Sequence, residues 1–190
     1  MKSLFLIIGA PGSGKTTDAD IIAKNNPTKI SHFSTGELLR DEVRSDSKLG
    51  KIIDERISKG NLVPVQIAVE TIIKAIDSSS KSIILIDGFP RSVEQMMELE
   101  KELLSKKDIK LSLVLEVIVS EKVAKQRVIG RNRGNDDKEE VFTNRMEVHN
   151  EPIELIRDFY NSNKLLVQID GERDVKDIVS EMEKIINERV

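Results

Sequence analysis

One octet limits this chain more than any other feature: Gly9-Ala10-Pro11-Gly12-Ser13-Gly14-Lys15-Thr16 fits G-x-x-x-x-G-K-[ST]. An apolar run, Leu4 to Ile8, leads into it, and a helical pattern, Lys15–Asn25, follows. Glycines let the backbone curl until its N–H groups converge on phosphate oxygens, and the next helix adds the positive end of its dipole. Gly12, Ser13, Gly14, Lys15, Thr16 and Thr17 are therefore the candidate phosphate cradle. Lys15 supplies a mobile positive charge for the β- and γ-phosphates, and the Thr16 hydroxyl is expected to face Mg2+. A glycine-rich turn that merely caps a helix is the competing reading. The strand, loop, Lys-Thr pair and helix in this order weigh against it.

The rest of the chain repeats that strand–helix rhythm. Runs rich in Ile, Leu and Val predict buried parallel strands at Ser3–Ile8, Lys29–Phe33, Ser82–Ile86, Leu113–Val119 and Leu165–Ile169. Helical patterns fill the gaps: Gln66–Ile76, Val93–Leu104, Glu121–Ile129, Glu139–Tyr160 and Val175–Glu188. The alternation predicts a doubly wound α/β domain around a five-stranded parallel sheet, with ligands at the strands' C-terminal edge. Asp87 leaves the third strand at that edge, placed to organise Mg2+ and its waters; a turn aspartate ahead of Gly88 is the plainer reading.

Two segments break the rhythm. Ser34–Val63 carries two helical patterns, Glu37–Arg44 and Leu49–Lys59, without a strand, which suggests a small mobile lobe. Gly130–Asp136 is glycine-punctuated and arginine-rich, and reads as a loop at the sheet edge. The expected organisation is a core of 1–33, 64–129 and 137–190, an insert at 34–63 and a short loop at 130–136.

Composition narrows the partners. There is no Cys, so disulfides, thiolate catalysis and a cysteine zinc site are excluded. A net charge of −3 lacks the basic surface that nucleic acid needs, and the absence of Trp argues against a base-stacking platform. The apolar start is too short for a signal sequence, and nothing approaches bilayer length. The expectation is an unprocessed, soluble, cytoplasmic monomer with no membrane partner. His32 and His149 fall in no motif: His32 reads as a core or hydrogen-bonded strand residue, His149 as a surface residue of a helix.

Three further clusters go beyond the octet: Ser34-Thr35-Gly36-Glu37-Leu38-Leu39-Arg40, Gly60-Asn61-Leu62-Val63-Pro64, and Asp87-Gly88-Phe89-Pro90-Arg91-Ser92-Val93-Glu94-Gln95. Together they resemble the nucleoside monophosphate kinase family, most closely its short-lid adenylate kinase branch, from Leu4 to about Ile178. The resemblance implies a P-loop NTPase-type core, an NMP-binding insert at 34–63 and a lid at 130–136. It implies reversible Mg2+-dependent phosphoryl transfer from ATP to AMP giving two ADP, a part in adenine nucleotide homeostasis, and no zinc.

Position by position, the resemblance assigns Thr35, Arg40 and Arg91 to AMP, the two arginines to its phosphate. The backbone around Asn61, Leu62 and Val63, and around Gly88, Phe89, Pro90 and Arg91, would line the adenosine, and Gln95 would bond the adenine edge. Pyrimidine nucleotide kinases usually carry Ala at the Thr35 position and Asn at the Gln95 position. Arg127 would pack on the ATP adenine and Arg131 would touch its phosphates. Arg133 and Arg145 would close over the transferring group from the AMP side. Lys15, Arg91, Arg131, Arg133 and Arg145 form the implied catalytic set. Arg173 lies in a loop whose backbone would meet the ATP adenine.

Plainer readings stand beside these. Ser34-x-x-Glu37 and Ser92-x-x-Gln95 are also capping boxes. Arg40 could be a solvated helix charge, and the arginines from 127 to 145 local ion-pair partners. Asp136 and Asp137 could cap the next helix. Val65 stands where relatives often have Asp, which puts one helix cap in doubt. The competing functions are another small P-loop kinase, for shikimate, gluconate or a pyrimidine nucleotide, and a GTP-dependent switch. The switch would need an Asn-Lys-x-Asp motif that is missing.

Overall fold

The computed structural model describes residues 1–130 and 138–190. Five strands, β1 (Lys2–Ile8), β2 (Ile30–Ser34), β3 (Ile83–Asp87), β4 (Ile109–Ile118) and β5 (Leu166–Asp170), form one sheet in the order β2-β3-β1-β4-β5. Every neighbouring pair is parallel. The expected α/β sheet is thus present, with the strand that feeds the octet at its centre and the order reversing on either side of it.

Alternation along β1 builds a core on each face. Leu4, Leu6 and Ile8 join one apolar cluster, packed by α4 (Val65–Ser78), α5 (Val93–Ser105) and α7 (Glu139–Ser162). Phe5 and Ile7 join the other, packed by α1 (Lys15–Asn25) and α8 (Val175–Glu188). Leu4, Phe5, Leu6 and Ile7 are wholly buried, as a strand covered on both faces requires.

β4 begins four residues before the expected Leu113. Its register against β1 slips between Leu4 and Phe5, where Ser112 is the extra residue. Lys110 and Ser112 interrupt the apolar run there; Lys110 stays paired with Ser3 and a bulge absorbs Ser112.

Two short helices, α2 (Thr35–Arg44) and α3 (Lys48–Ile57), follow β2 and pack on each other. α6 (Glu121–Gly130) follows β4. Ala124 and Val128 of α6 and Phe142 and Met146 of α7 close a third small cluster over Ala10, which clamps the glycine loop from behind. α4 starts from Pro64 without a side-chain cap, consistent with Val65 in place of Asp. Of the expected loop 130–136, only Gly130 lies within the described residues.

Candidate active site

The octet leaves the end of β1 at the middle of the sheet. Gly12 holds φ +84°, and a Cβ there would stand 2.4 Å from the Ala124 carbonyl oxygen and 2.9 Å from Val128. Only glycine lets the loop lie this close to α6. Gly14 ends the loop at φ +98° and passes directly into α1. Lys15 Nζ donates to the Ala10 carbonyl at 3.1 Å, folded back over its own loop.

Asp87 faces that loop from the end of β3. Thr16 Oγ1 donates to Asp87 Oδ1 at 3.0 Å. His32, in the neighbouring strand, holds the other carboxyl oxygen at 2.7 Å through Nε2, while its Nδ1 lies 2.7 Å from Asp20. Two carboxylates can only accept, so this arrangement calls for a ring protonated at both nitrogens. Burial opposes the charged ring, but the bonds to Asp87 and Asp20 outweigh it and raise the His32 pKa. Burial likewise pushes Asp87 up, yet the His32 hydrogen bond, Lys15 and Thr16 more than offset it and hold the carboxyl below the usual range. The pair Thr16 and Asp87 offers only oxygen donors, the chemistry that suits Mg2+. Among the described residues, no group of three His, Cys, Asp or Glu side chains could hold a metal ion by itself. Mg2+ is commonly held by one or two carboxylates plus substrate phosphates.

Two hollows meet at this point. One, about 340 Å3, is lined by Gly12 to Asp18 with Arg127, Gly171, Val175 and Ile178. The Arg127 guanidinium spans it, donating to Ser13 O at 3.1 Å and to Gly171 O at 3.0 Å. Asp18, almost fully buried beneath, is pushed up to about 6 by burial against the pull of Arg127 and Lys15. The other hollow gathers Ser34, Gly36, Arg40, Asn61, Asp87, Arg91 and Arg145, and shares Gly12, Lys15 and Thr16 with the first. It continues along Leu62, Pro90, His149 and Pro152. Its two parts hold only about 70 and 50 Å3, well under the ~300–1,000 Å3 of an open ligand cleft. A contact from α7 narrows it: Asn144 Nδ2 donates to Lys59 O at 2.7 Å and Asn61 Oδ1 at 3.0 Å.

A family model described as Adenylate kinase matches residues 7–165. The chain is 59% identical over 190 residues to an adenylate kinase of Wolinella succinogenes, covering 100% of both chains. It is 60% identical over 186 residues to one of Campylobacter fetus subsp. fetus, covering 98% of this chain and 97% of that one. The chain belongs to the adenylate kinase family. As a member it is an enzyme of nucleotide phosphoryl transfer, with the five-stranded α/β fold on which that site is built.

Within this adenylate kinase fold, Gly12, Ser13, Gly14, Lys15, Thr16, Thr17 and Arg127 line one hollow, and Arg40, Asn61, Leu62, Gly88, Pro90, Arg91 and Arg145 the other. Two of the expected side chains, Thr35 and Gln95, stand behind the wall instead. Thr35 is buried and its hydroxyl donates to the Asp87 carbonyl at 2.7 Å; Ser34 and Gly36 line the hollow beside it. Phe89 and Val63 bury their side chains in the core, while the expectation at both concerned their backbone. Buried Gln95 accepts from Arg91 N at 2.8 Å while Ser92 caps its own N–H, so here it does the capping job. The Arg173 side chain turns to Glu181, with Nε donating to Asp170 O at 3.2 Å, and the loop it belongs to meets the hollow through Gly171. Arg131, Arg133, Asp136 and Asp137 lie outside the described residues.

His149 departs from the expected surface position. It is half-buried and lines the cleft with Lys15, Arg91 and Arg145. Burial pushes its ring down to about 4, aided by Lys15, Arg157 and Arg91 and opposed by Glu116.

Proposed function

We propose that this chain transfers the terminal phosphoryl group of ATP to AMP, reversibly and with Mg2+, giving two ADP. The observation that carries the reading is the pair of hollows joined at Gly12, Lys15 and Thr16, with Arg40, Arg91 and Arg145 on one side and Arg127 on the other. Two anionic phosphates facing each other across Lys15 would repel; the cations around that point offset the repulsion.

Each residue then has a task. The loop backbone and Lys15 hold the donor phosphates, and Arg127 covers the base. Arg40 and Arg91 hold the acceptor phosphate, for which a planar guanidinium pairs two oxygens at once. Arg145 faces the transferring group. Thr16 and Asp87 would hold Mg2+, partly through water, with Asp87 fixed by His32. When bound there, Mg2+ draws charge from the donor phosphates. The nucleophile is a phosphate oxygen, already largely ionised at neutral pH, so no side chain has to remove a proton. Residues 34–63 serve as the acceptor-side insert on the core, and its contact with α7 through Asn144 lets it close over the acceptor and exclude water.

A two-way assay tests this: ADP formed from ATP plus AMP, and ATP plus AMP formed from ADP, each with and without Mg2+. Strong, Mg2+-dependent transfer to AMP, and weak transfer to CMP, UMP, shikimate or gluconate, is expected. Preference for any of those acceptors over AMP refutes the reading.

A further inference from the structure

Phosphoryl transfer leaves one apolar hollow without a task. It holds about 240 Å3 between α4 and α5, and shares no residue with the paired hollows of the active site. Val69 and Ile73 of α4 form its floor; Glu70 and Lys74 of the same helix stand along one rim, Glu98 and Glu102 of α5 along the other. Val69 is buried, whereas Ile73 packs on the core and is only partly covered.

Shape and charge together describe an occupant. Val69 and Ile73 are one helical turn apart, as are Glu98 and Glu102, so the hollow is a groove running along both helix axes. Side chains four residues apart on a visiting helix repeat at the same rise of about 6 Å. Three of the four charged rim groups are carboxylates. Lys74 lies 3.9 Å from Glu70, and Lys101 reaches Glu98 at 3.0 Å, both with well-exposed lysines that a partner's cations can displace at little cost. Glu102 has no ion-pair partner among the described residues. Glu94 extends the acids of α5 at the same four-residue spacing, an arrangement that weakens a helix left to itself. An occupant that brings positive charge relieves that repulsion, and an apolar face on it covers the floor.

We propose that the α4–α5 groove docks a cationic amphipathic helix of a partner protein. Its apolar side chains, one turn apart, seat over Val69 and Ile73, and Lys or Arg on its flanks face Glu70, Glu98 and Glu102. The same carboxylates turn away an anionic partner.

The test uses the full chain and a fluorescent helical peptide of Leu and Lys, with Leu at i, i+3, i+4 and i+7, followed by anisotropy. A permuted peptide of the same composition and a Leu-Glu version serve as controls. Saturable binding of the amphipathic Leu-Lys peptide alone is expected, weakened about 10-fold or more at about 0.5 M salt. Glu98→Lys/Glu102→Lys also weakens it by about 10-fold or more. Glu55→Lys/Glu188→Lys, the same change of net charge on α3 and α8, leaves it within about 2-fold. Thermal melts by circular dichroism establish that each variant is folded. Should the groove reversal fail to fold, Glu102→Gln and Ile73→Ala, each expected to weaken binding, carry the test. Three results overturn the proposal: no saturable binding to the native chain, equal binding of either control peptide, or equal weakening by groove and remote substitutions.

Discussion

Replacing His149 with Gln should make folding less sensitive to acid and abolish a proton uptake that accompanies nucleotide binding. Burial holds the ring of His149 near 4 in the folded protein, with Lys15, Arg157 and Arg91 adding to the effect and Glu116 opposing it. In the unfolded chain the ring titrates near its ordinary 6.5. Between those values the unfolded state binds the extra proton, so stability falls as pH drops from 6.5 through 4 and is unaffected above 6.5. At about 1.4 kcal/mol per pH unit the full loss is roughly 3 kcal/mol, and about 1–2 kcal/mol after discounting for a ring that still touches solvent. Urea midpoints at neutral pH and near pH 4.5 measure it, provided the denaturant slope stays constant. His149→Gln should lose about 1–2 kcal/mol less than the native chain over that interval. Phosphates entering among Lys15, Arg91 and Arg145 cancel much of the cationic field, so His149 should rise and take up part of a proton near pH 5–6. Calorimetry in two buffers of different ionisation enthalpy reads that uptake. Equal acid losses in the two proteins, or equal proton uptake, refute the argument.

Other substitutions probe the frame and the site. Buried Glu116 accepts from Arg157 at 2.8 and 3.0 Å and from Gln168 at 3.1 Å. Arg157→Ala strands that carboxylate and should cost about 3 kcal/mol, whereas Glu116→Gln leaves a partly exposed guanidinium and should cost about 1 kcal/mol; urea unfolding giving the reverse order contradicts this. Gly12→Ala combines φ +84° with a Cβ 2.4 Å from the Ala124 carbonyl, so it should lose about 2 kcal/mol or more and weaken ATP binding. An unchanged Tm and an unchanged Kd for ATP count against the close packing of loop on α6. Lys15→Met and Arg91→Ala should each lower turnover by roughly 10²–10³-fold, the scale of one positioned charge stabiliser; near-native rates of ADP formation in both remove the site assignment.

What could be read from the chain is what is encoded locally. The octet declares its loop because strand, glycines, Lys-Thr and helix are contiguous. α1 and α8 occupy the expected residues, their ends set by adjoining turns. The early start of β4 was hidden because Lys110 and Ser112 resemble the end of a strand; β1 pairs with Lys110, and β4 bulges at Ser112. His32 was readable as a hydrogen-bonded strand residue but its partners were not, because Asp20 and Asp87 lie 12 and 55 positions away. Motifs marked Thr35, Phe89 and Gln95 as near the ligand but not which way they face. Thr35 and Gln95 hold backbone that presents other groups, and Phe89 fills the core. His149 was misjudged for a similar reason: a histidine on a charged helix says nothing of the cleft beneath α7, which Val148, Pro152 and Ile153 also line.

The partners an arginine keeps separate those a ligand can recruit from those the fold needs. Arg127 donates to two neutral carbonyls, Ser13 O and Gly171 O, which hydrate or re-pair easily when it leaves; such bonds contribute about 1 kcal/mol each, net. Arg157 serves a carboxylate that is 2% exposed and tied into β4, and it cannot leave without stranding a buried charge. The two side chains have the same chemistry, yet only the first is cheap to move. A binding cleft that must fill with anions therefore keeps its movable cations on carbonyls and its fixed ones on buried acids. That division explains why Arg127 roofs its hollow on bonds that break cheaply, while Arg157 holds α7 against the sheet.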